Sequence, residues 1–256
     1  MTFDPIARFY DLDDGRLSED IPLYLGFAAK TGSPLLDLGI GSARLALPLA
    51  RAGFTVTGID ISAPMLALAR ERIMRAGLDA AIRLVHTDFT APELDADGDF
   101  GLAYCGYNAF LHLIETDAQL RALRAWRALL RPGGLLVIDV ENPQLEALAS
   151  LSGELLHEET LVDGATGDEI EKYTAAWVDL TDQILYLQRE YHWQEQAYRT
   201  SFQVRILFQR ELALLLHCAG YDNLRFYGDY QLNPWHPESP RLIAVAERLA
   251  QNPISE

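Results

Sequence analysis

The chain has 256 residues, 49% of them apolar, enough to bury the core of one domain or of one domain with a sizeable insertion. Against 21 basic residues stand 37 acidic ones, and the net charge of −16 repels phosphate backbones, which counts against nucleic acid as a partner. The acidic opening MTFDPIARFYDLDDGR does not read as a signal peptide, and no apolar run is long enough to span a membrane. Cys105 and Cys218 show no metal-ligand spacing; their apolar neighbours predict buried free thiols and a cytoplasmic setting. An enzyme acting on a small cationic or neutral molecule fits this charge, as does a surface whose charge only keeps the protein dissolved.

Pro5 to Tyr10 reads as a short amphipathic piece in a lead-in that ends near Asp20. Asp20 is placed to cap a helix over Ile21–Lys30, with Pro22 in its first turn and Gly32-Ser33-Pro34 breaking it. Leu35–Leu38 then reads as a buried strand running into Gly39-Ile40-Gly41 and a helix from about Ala43 to Ala52, ended by Gly53. Glycine lacks the Cβ that would keep a ligand away from the backbone N–H groups of such a turn. Phe54–Ile59 is a second strand closed by Asp60; Ser62 caps the next helix, Pro64 lies near its start and Gly77 just past its end. Ala81–His86 is a third strand, followed by Asp88 and Phe89, and Phe100–Cys105 a fourth. Thr116-x-x-Gln119 reads as a capping box before a helix carrying Leu120, Leu123, Trp126 and Leu130. Pro132-Gly133-Gly134 stops that helix, and Leu135–Val140 is a fifth strand.

From Ser150 to Phe208 the rhythm becomes strictly alternating. Leu185, Leu187, Arg189, Tyr191 and Trp193 form one row, and Thr200, Phe202, Val204, Ile206 and Phe208 another, which predicts an antiparallel meander of three or four strands. A helix over Arg210–Ala219 and strands over Asn223–Tyr227 and Arg241–Ala246 follow. Strands alternating with helices predict an α/β fold: a seven-stranded, mostly parallel Rossmann-like sheet with helices on both faces, plus an antiparallel β insertion between strands 5 and 6. Three parts are expected: 1–149 as lead-in and ligand-binding core, 150–208 as an insertion that covers the substrate or contacts a second copy, and 209–256 completing the sheet. Ligands of such sheets sit at the C-terminal strand ends, where Asp37, Gly39, Asp60, Asp88, Tyr104 and Cys105 fall.

A dinucleotide turn would need a third glycine at position 44, which is Arg44, so a nicotinamide or flavin enzyme is disfavoured. The acid-x-Gly-x-Gly pattern of Asp37, Gly39 and Gly41 instead resembles the opening motif of class I S-adenosylmethionine-dependent methyltransferases, with Ala43 at the last small position. VTGIDIS, VHTDF and LRPGGLLVIDVENP resemble that family's later motifs, over roughly residues 35–145 and 209–248. The resemblance implies a methyltransferase whose cofactor is S-adenosylmethionine. It implies Asp60 on the ribose hydroxyls, since a carboxylate accepts two such bonds. It further implies Ile61 and Met65 flanking the adenine, Asp88 at its amino group, and a backbone N–H from Phe89. Gly39 and Gly41 would let the methionine part approach, the backbone of Tyr104 and Cys105 would lie near its amino group and sulfonium, and Tyr10 would close over the whole.

Methyl transfer from an activated sulfonium relies on positioning, with a base needed only for a protonated acceptor. The segment YCGYNAF after the fourth strand lacks the proline of amino-methylating nucleic-acid enzymes, Cys105 follows Tyr104 and so reads as a packed thiol, and no carboxylates follow to bind a metal. A small-molecule acceptor presenting N or O is therefore expected, with no nucleic acid, no membrane and no metal. Asn108 and His112 stand at i and i+4, sharing a face if a helix has begun there, with His112 either a base or a scaffold histidine. Glu141 either orients a cationic amine or merely ends its strand. Trp177 and Arg205 lie on the meander: either one face of it roofs the acceptor, or its aromatics are core or a dimer contact. Tyr230 either walls the acceptor or packs in its loop. The alternative is a catalytically silent sensor or scaffold that binds S-adenosylmethionine or S-adenosylhomocysteine. Either protein would be a monomer or homodimer.

Overall fold

The computed structural model describes residues 4–92, 94 and 99–249. Seven strands form one sheet: β1 Leu35–Leu38, β2 Val56–Asp60, β3 Ile82–His86, β4 Phe100–Cys105, β5 Leu130–Glu141, β10 Asp222–Tyr227 and β11 Arg241–Glu247. Their spatial order is β10-β11-β5-β4-β1-β2-β3, with only β11 antiparallel to its neighbours. The chain winds outward from β1 in both directions, to β2 and β3 on one side and to β4 and β5 on the other, so the crevice where ligands bind lies beyond the C-terminal ends of β1, β2 and β4. Leu35 and Leu36, adjacent in β1, are fully buried in two different clusters, the first with Leu49, Leu66 and Leu102, the second with Trp126, Ile138 and Leu212. This two-sided burial is why the strands read as unbroken apolar runs.

Helices α1 Ile21–Thr31, α2 Ala46–Arg51, α3 Ala63–Ala76, α4 Thr116–Leu129 and α6 Gln209–Cys218 cover the sheet, and the short α5 Leu145–Ala149 follows β5. Ser62 caps α3 by accepting from Met65 N at 3.3 Å, and Gly77 ends it at φ 66°, as the sequence predicts. Two expected caps are corrected. Asp20 makes no side-chain cap bond; its carboxylate, fully buried, takes both arms of Arg44 at 2.7 Å instead. Thr116 is the first residue of α4 rather than its cap, and Gln119 reaches back to Leu113 O at 2.9 Å. Helix α2 starts later than expected because Ala43 adopts φ 64° and prolongs the turn. Cys105 is buried as expected, whereas Cys218 at the end of α6 is exposed, since it follows the solvent face of that helix.

Residues 156–205 form a second sheet, the antiparallel meander β6 Leu156–Val162, β7 Glu169–Asp179, β8 Ile184–Trp193 and β9 Gln196–Arg205 in sequential order. The N-terminal strap, 3-10 turns over Asp4–Leu12 and Asp14–Arg16, links the two sheets. Phe9 is buried against Leu161, Ile170 and Tyr191, stacking on the Tyr191 ring at 4.9 Å. Asp13 receives Lys172 Nζ at 2.8 Å and the Tyr191 hydroxyl at 2.6 Å. On the other side Asp11 accepts from Ser42 at 2.7 Å and Arg72 at 2.6 Å, which ties the strap to the glycine turn and to α3. No helix among the described residues is long and apolar enough to cross a membrane.

Candidate active site

The turn after β1 is held open by backbone bonds and positive φ angles. Gly39 N and Ile40 N both donate to Ile59 O, at 2.9 and 3.0 Å, and Gly39 and Gly41 take φ 88° and 54°. A Cβ on Gly39 would stand 3.2 Å from the Ala109 Cβ. Glycine is thus required here both for conformation and for space. Beyond the turn lies a cavity of about 540 Å³, reached by Tyr10, Gly39, Gly41, Asp60, Ile61, Met65 and Phe89, with Tyr10 contributed by the strap. Asp60 ends β2 with its carboxylate fixed by Gly41 N at 2.9 Å and Ser62 N at 2.8 Å. Burial raises its pKa, while the backbone N–H groups oppose that shift and favour the anion. A carboxylate has about four acceptor positions, so capacity remains for two ligand hydroxyls. A backbone cradle beside a carboxylate with acceptor capacity to spare is chemically suited to the nucleoside and amino-acid parts of the expected cofactor.

Four residues expected at this end lie off the cavity wall. Asp37 is buried within the sheet opposite Tyr104, and burial pushes its carboxyl up to about 7 against the pull of Tyr104 and Arg44. Tyr104 and Cys105 are fully buried, and it is the next residues, Gly106 to Asn108, that reach the cavity. Asp88 is exposed and accepts from Thr90 N at 2.8 Å, so its carboxylate shapes its own turn.

The acceptor end is built on a strained turn. Tyr107 and Asn108, directly after β4, take φ 45° and 67°, and Ala109–His112 is a single 3-10 turn rather than an α-helix. Left-handed non-glycine residues persist only where neighbours hold them. Here Asp139 of β5 accepts from Tyr107 N at 3.3 Å through its side chain and from Asn108 N at 3.0 Å through its carbonyl. Arg241 of β11 pairs with Asp139 at 2.7 Å and donates to Asn108 Oδ1 at 3.3 Å; that same oxygen accepts from Glu141 N at 2.7 Å. The Asn108 side chain is thereby a brace for the turn. Sequence reasoning passed over Asp139 and Arg241, although a carboxylate in the middle of an apolar strand is a signal that a buried partner exists.

Asn108, His112, Glu141 and Arg205 line the cavity. Arg205 is committed elsewhere, to Glu211 at 2.9 Å, Gln183 at 3.1 Å and the Asp182 carbonyl at 2.8 Å. Ala176, Leu185, Leu187, Phe202 and Val204 of the meander make an apolar roof, with Arg189 set in it. Two expected acceptor residues are corrected. Trp177 lies outside the cavity, 41% exposed and stacked flat on Tyr186 at 5.3 Å, because its neighbour Ala176 takes the inward face. Tyr230 is also off the cavity wall; its hydroxyl lies 3.4 Å from Asp139.

Burial drives the pKa of His112 down to about 4; a hydrogen bond to the Gln203 backbone opposes this, and the nearby Arg189 charge adds to it. The ring is therefore neutral at physiological pH and a weak proton acceptor. Below its ordinary pKa of about 6.5 the unfolded chain binds a proton that the folded form refuses until about 4. Stability should accordingly fall as pH drops through that window, by at most about 1.4 kcal/mol per pH unit. Thermal melting from pH 7 to 4 should show this limb flattened in His112→Asn; identical limbs would place His112 in a solvated site.

Residues 35–134 match the family described as methyltransferase domain. Over 219 residues the chain is 27% identical to a glycine/sarcosine N-methyltransferase of Aphanothece halophytica, covering 84% of this chain and 76% of that protein. It is 35% identical to a ubiquinone biosynthesis O-methyltransferase of Caulobacter sp. (strain K31), over 121 residues that make up 46% of this chain and 44% of that protein. The solved structure of the CcbJ methyltransferase from Streptomyces caelestis superposes with a TM-score of 0.80 at 25% identity, covering 96% of this chain and 97% of that one.

Proposed function

We propose, from the premise that this chain is a class I S-adenosylmethionine-dependent methyltransferase, that it methylates a nitrogen on a small molecule. S-adenosylmethionine, the family's cofactor, supplies a methyl group on a cationic sulfur that leaves as a neutral thioether. In this reading Gly39 and Gly41 admit the methionine part, Asp60 takes the ribose hydroxyls, Ile61 and Met65 flank the adenine, Phe89 offers a backbone contact and Tyr10 covers the cofactor from the strap. The turn over Gly106 to Asn108 separates that end from the acceptor end. The insertion 150–208 roofs the acceptor through β7, β8 and β9, and its apolar side chains keep water from the reacting atoms.

The observation that carries the choice of nitrogen is that His112, the histidine of the cavity wall, is buried and held neutral, a poor base. With its pKa lowered to about 4, His112 is a poor base for an alcohol, which is a far weaker acid than the imidazolium it would form. A neutral amine needs no such help. Its lone pair forms the N–C bond as the S–C pair returns to sulfur, and the extra proton on nitrogen then leaves to water. Glu141 at the rim favours an approaching cation. We take the enzyme to act in the cytoplasm, as a monomer or homodimer, on molecules other than nucleic acid.

The test is transfer of labelled methyl from S-adenosylmethionine to matched sets of small amines, alcohols and phenols across pH. Product should form with amines alone, and kcat/KM should rise about tenfold per pH unit up to the acceptor's own ammonium pKa, because only the neutral form carries the lone pair. Transfer to alcohols at comparable rates, or a flat profile with amines, would overturn the nitrogen assignment.

A further inference from the structure

The acceptor end of the cavity divides its chemistry by element. Antiparallel pairing sets Ala176 of β7 opposite Leu187 of β8, and Leu187 opposite Phe202 of β9; Leu185 stands opposite Val204 in the neighbouring row. Directly opposed residues share a face of a sheet, so these rows make one continuous apolar surface, and their side chains reach the cavity. Leu185 and Leu187 pack on the core cluster yet stay half-buried, because part of each lines the cavity. Helix α5 adds Leu148, and the residues just beyond it add Leu151. That segment is pinned on both sides: Gln144 Nε2 donates to Ser239 O at 3.1 Å before the helix, and Gly153 N donates to Ala176 O at 3.0 Å after it.

The polar groups of this end come from elsewhere. Asn108 and Glu141 belong to the turn after β4 and the end of β5, tied together by Glu141 N on Asn108 Oδ1 at 2.7 Å. The arginines of the wall are met by carboxylates of the chain itself, Arg189 by Asp13 at 3.7 Å and Arg205 by Glu211 at 2.9 Å, so neither calls for an anion on the acceptor. Water held against leucine and phenylalanine forgoes hydrogen bonds, and its release by an apolar group favours binding. A charged group placed against the same rows would give up its hydration for hydrocarbon contacts.

We propose that the acceptor is an amphiphilic amine. Its nitrogen lies at the polar turn, and an apolar chain or ring lies along the meander rows beside α5. Leu187, opposed on both sides within its row, is the residue that reads the apolar body. The inference rests on the small-molecule amine reading above and narrows it, excluding short zwitterions and other acceptors that are polar throughout.

Binding is read directly, by calorimetry on the full chain saturated with S-adenosylhomocysteine, so that the result does not depend on turnover. Along the series propylamine, butylamine, pentylamine and hexylamine, Kd should fall about two- to fourfold per added methylene, the upper end corresponding to ~0.8 kcal/mol per buried CH2. A smaller increment overturns the proposal. 6-Aminohexanoate, which carries a carboxylate where hexylamine ends in a methyl group, should bind at least about tenfold more weakly than hexylamine. Binding as tight as that of hexylamine overturns it. Leu187→Thr, which keeps strand propensity, should cut the Kd ratio of propylamine to hexylamine at least about threefold, and Leu187→Met, which conserves volume, should preserve it. An unchanged ratio in Leu187→Thr removes Leu187 from the role. Should the variants fail to fold, the wild-type series decides. The alcohols from propanol to hexanol run alongside. The same increment in alcohols, together with failure of every amine to take up labelled methyl, sinks the nitrogen reading and leaves the apolar site standing. Amines that accept methyl yet show no increment sink the apolar site alone.

Discussion

Replacement of Asp139 by alanine is expected to cost about 3–5 kcal/mol of folding stability, the range for breaking a buried ion pair from one side, and to remove most of the turnover. Asp139 is fully buried and Arg241 nearly so; with the carboxylate gone, a guanidinium is left in the interior beside Tyr230 and Asn108. The pair does two separable things. It neutralises two charges inside the sheet, and it holds the left-handed Tyr107–Asn108 turn against the cavity. Removing both charges together, as Asp139→Leu with Arg241→Met, should recover stability to within about 1–2 kcal/mol, because apolar replacements of buried pairs are often neutral or better. Turnover should stay low in that double variant, since Tyr107 N loses its carboxylate acceptor and Asn108 Oδ1 loses one of its two donors, Arg241, keeping only Glu141 N. Urea unfolding and initial rates on the same samples check this. Rates that return along with stability would show that the turn holds its shape without the pair.

Asp60→Ala should weaken cofactor binding by roughly 1.5–3 kcal/mol, about 10- to 150-fold in Kd, the range for hydrogen bonds to a charged group. Two losses coincide. The ligand hydroxyls lose their acceptor, and Gly41 N and Ser62 N lose the oxygens that set the curvature of the turn. Asp60→Asn is not expected to rescue fully. One carboxylate oxygen becomes an amide NH2, which must then face either a backbone donor or the ligand, and donors do not pair. Calorimetric titration with S-adenosylhomocysteine measures both variants, and a Kd equal to wild type would remove Asp60 from the site.

The strands, their order along the chain and the change of rhythm at 150 were readable because they follow from local rules. Unbroken apolar runs mark strands covered on both faces, strict alternation marks the meander, and a glycine turn after a strand marks where backbone meets ligand. Asp60 and the Gly39–Gly41 turn were legible for the same reason, since strand-end position is a property of neighbouring residues. Alternation separates Trp177 from Ala176 but within β7 does not say which row turns inward, because the row of Tyr173, Ala175 and Trp177 is as apolar as that of Thr174, Ala176 and Val178. Arg205 likewise reads on paper as an acceptor residue. In the fold Glu211, delivered by the following helix, claims its guanidinium instead. Asp88 drops out of the wall by bonding to its own turn, and the Asp139–Arg241 brace joins residues 102 positions apart. Secondary structure and the strand ends were set by contacts between near neighbours and by hydrophobic period, both written in order along the chain. Which side chains meet in the cavity was decided by sheet-on-sheet packing and by buried charge pairs between distant segments, interactions that come into existence only when the tertiary fold closes.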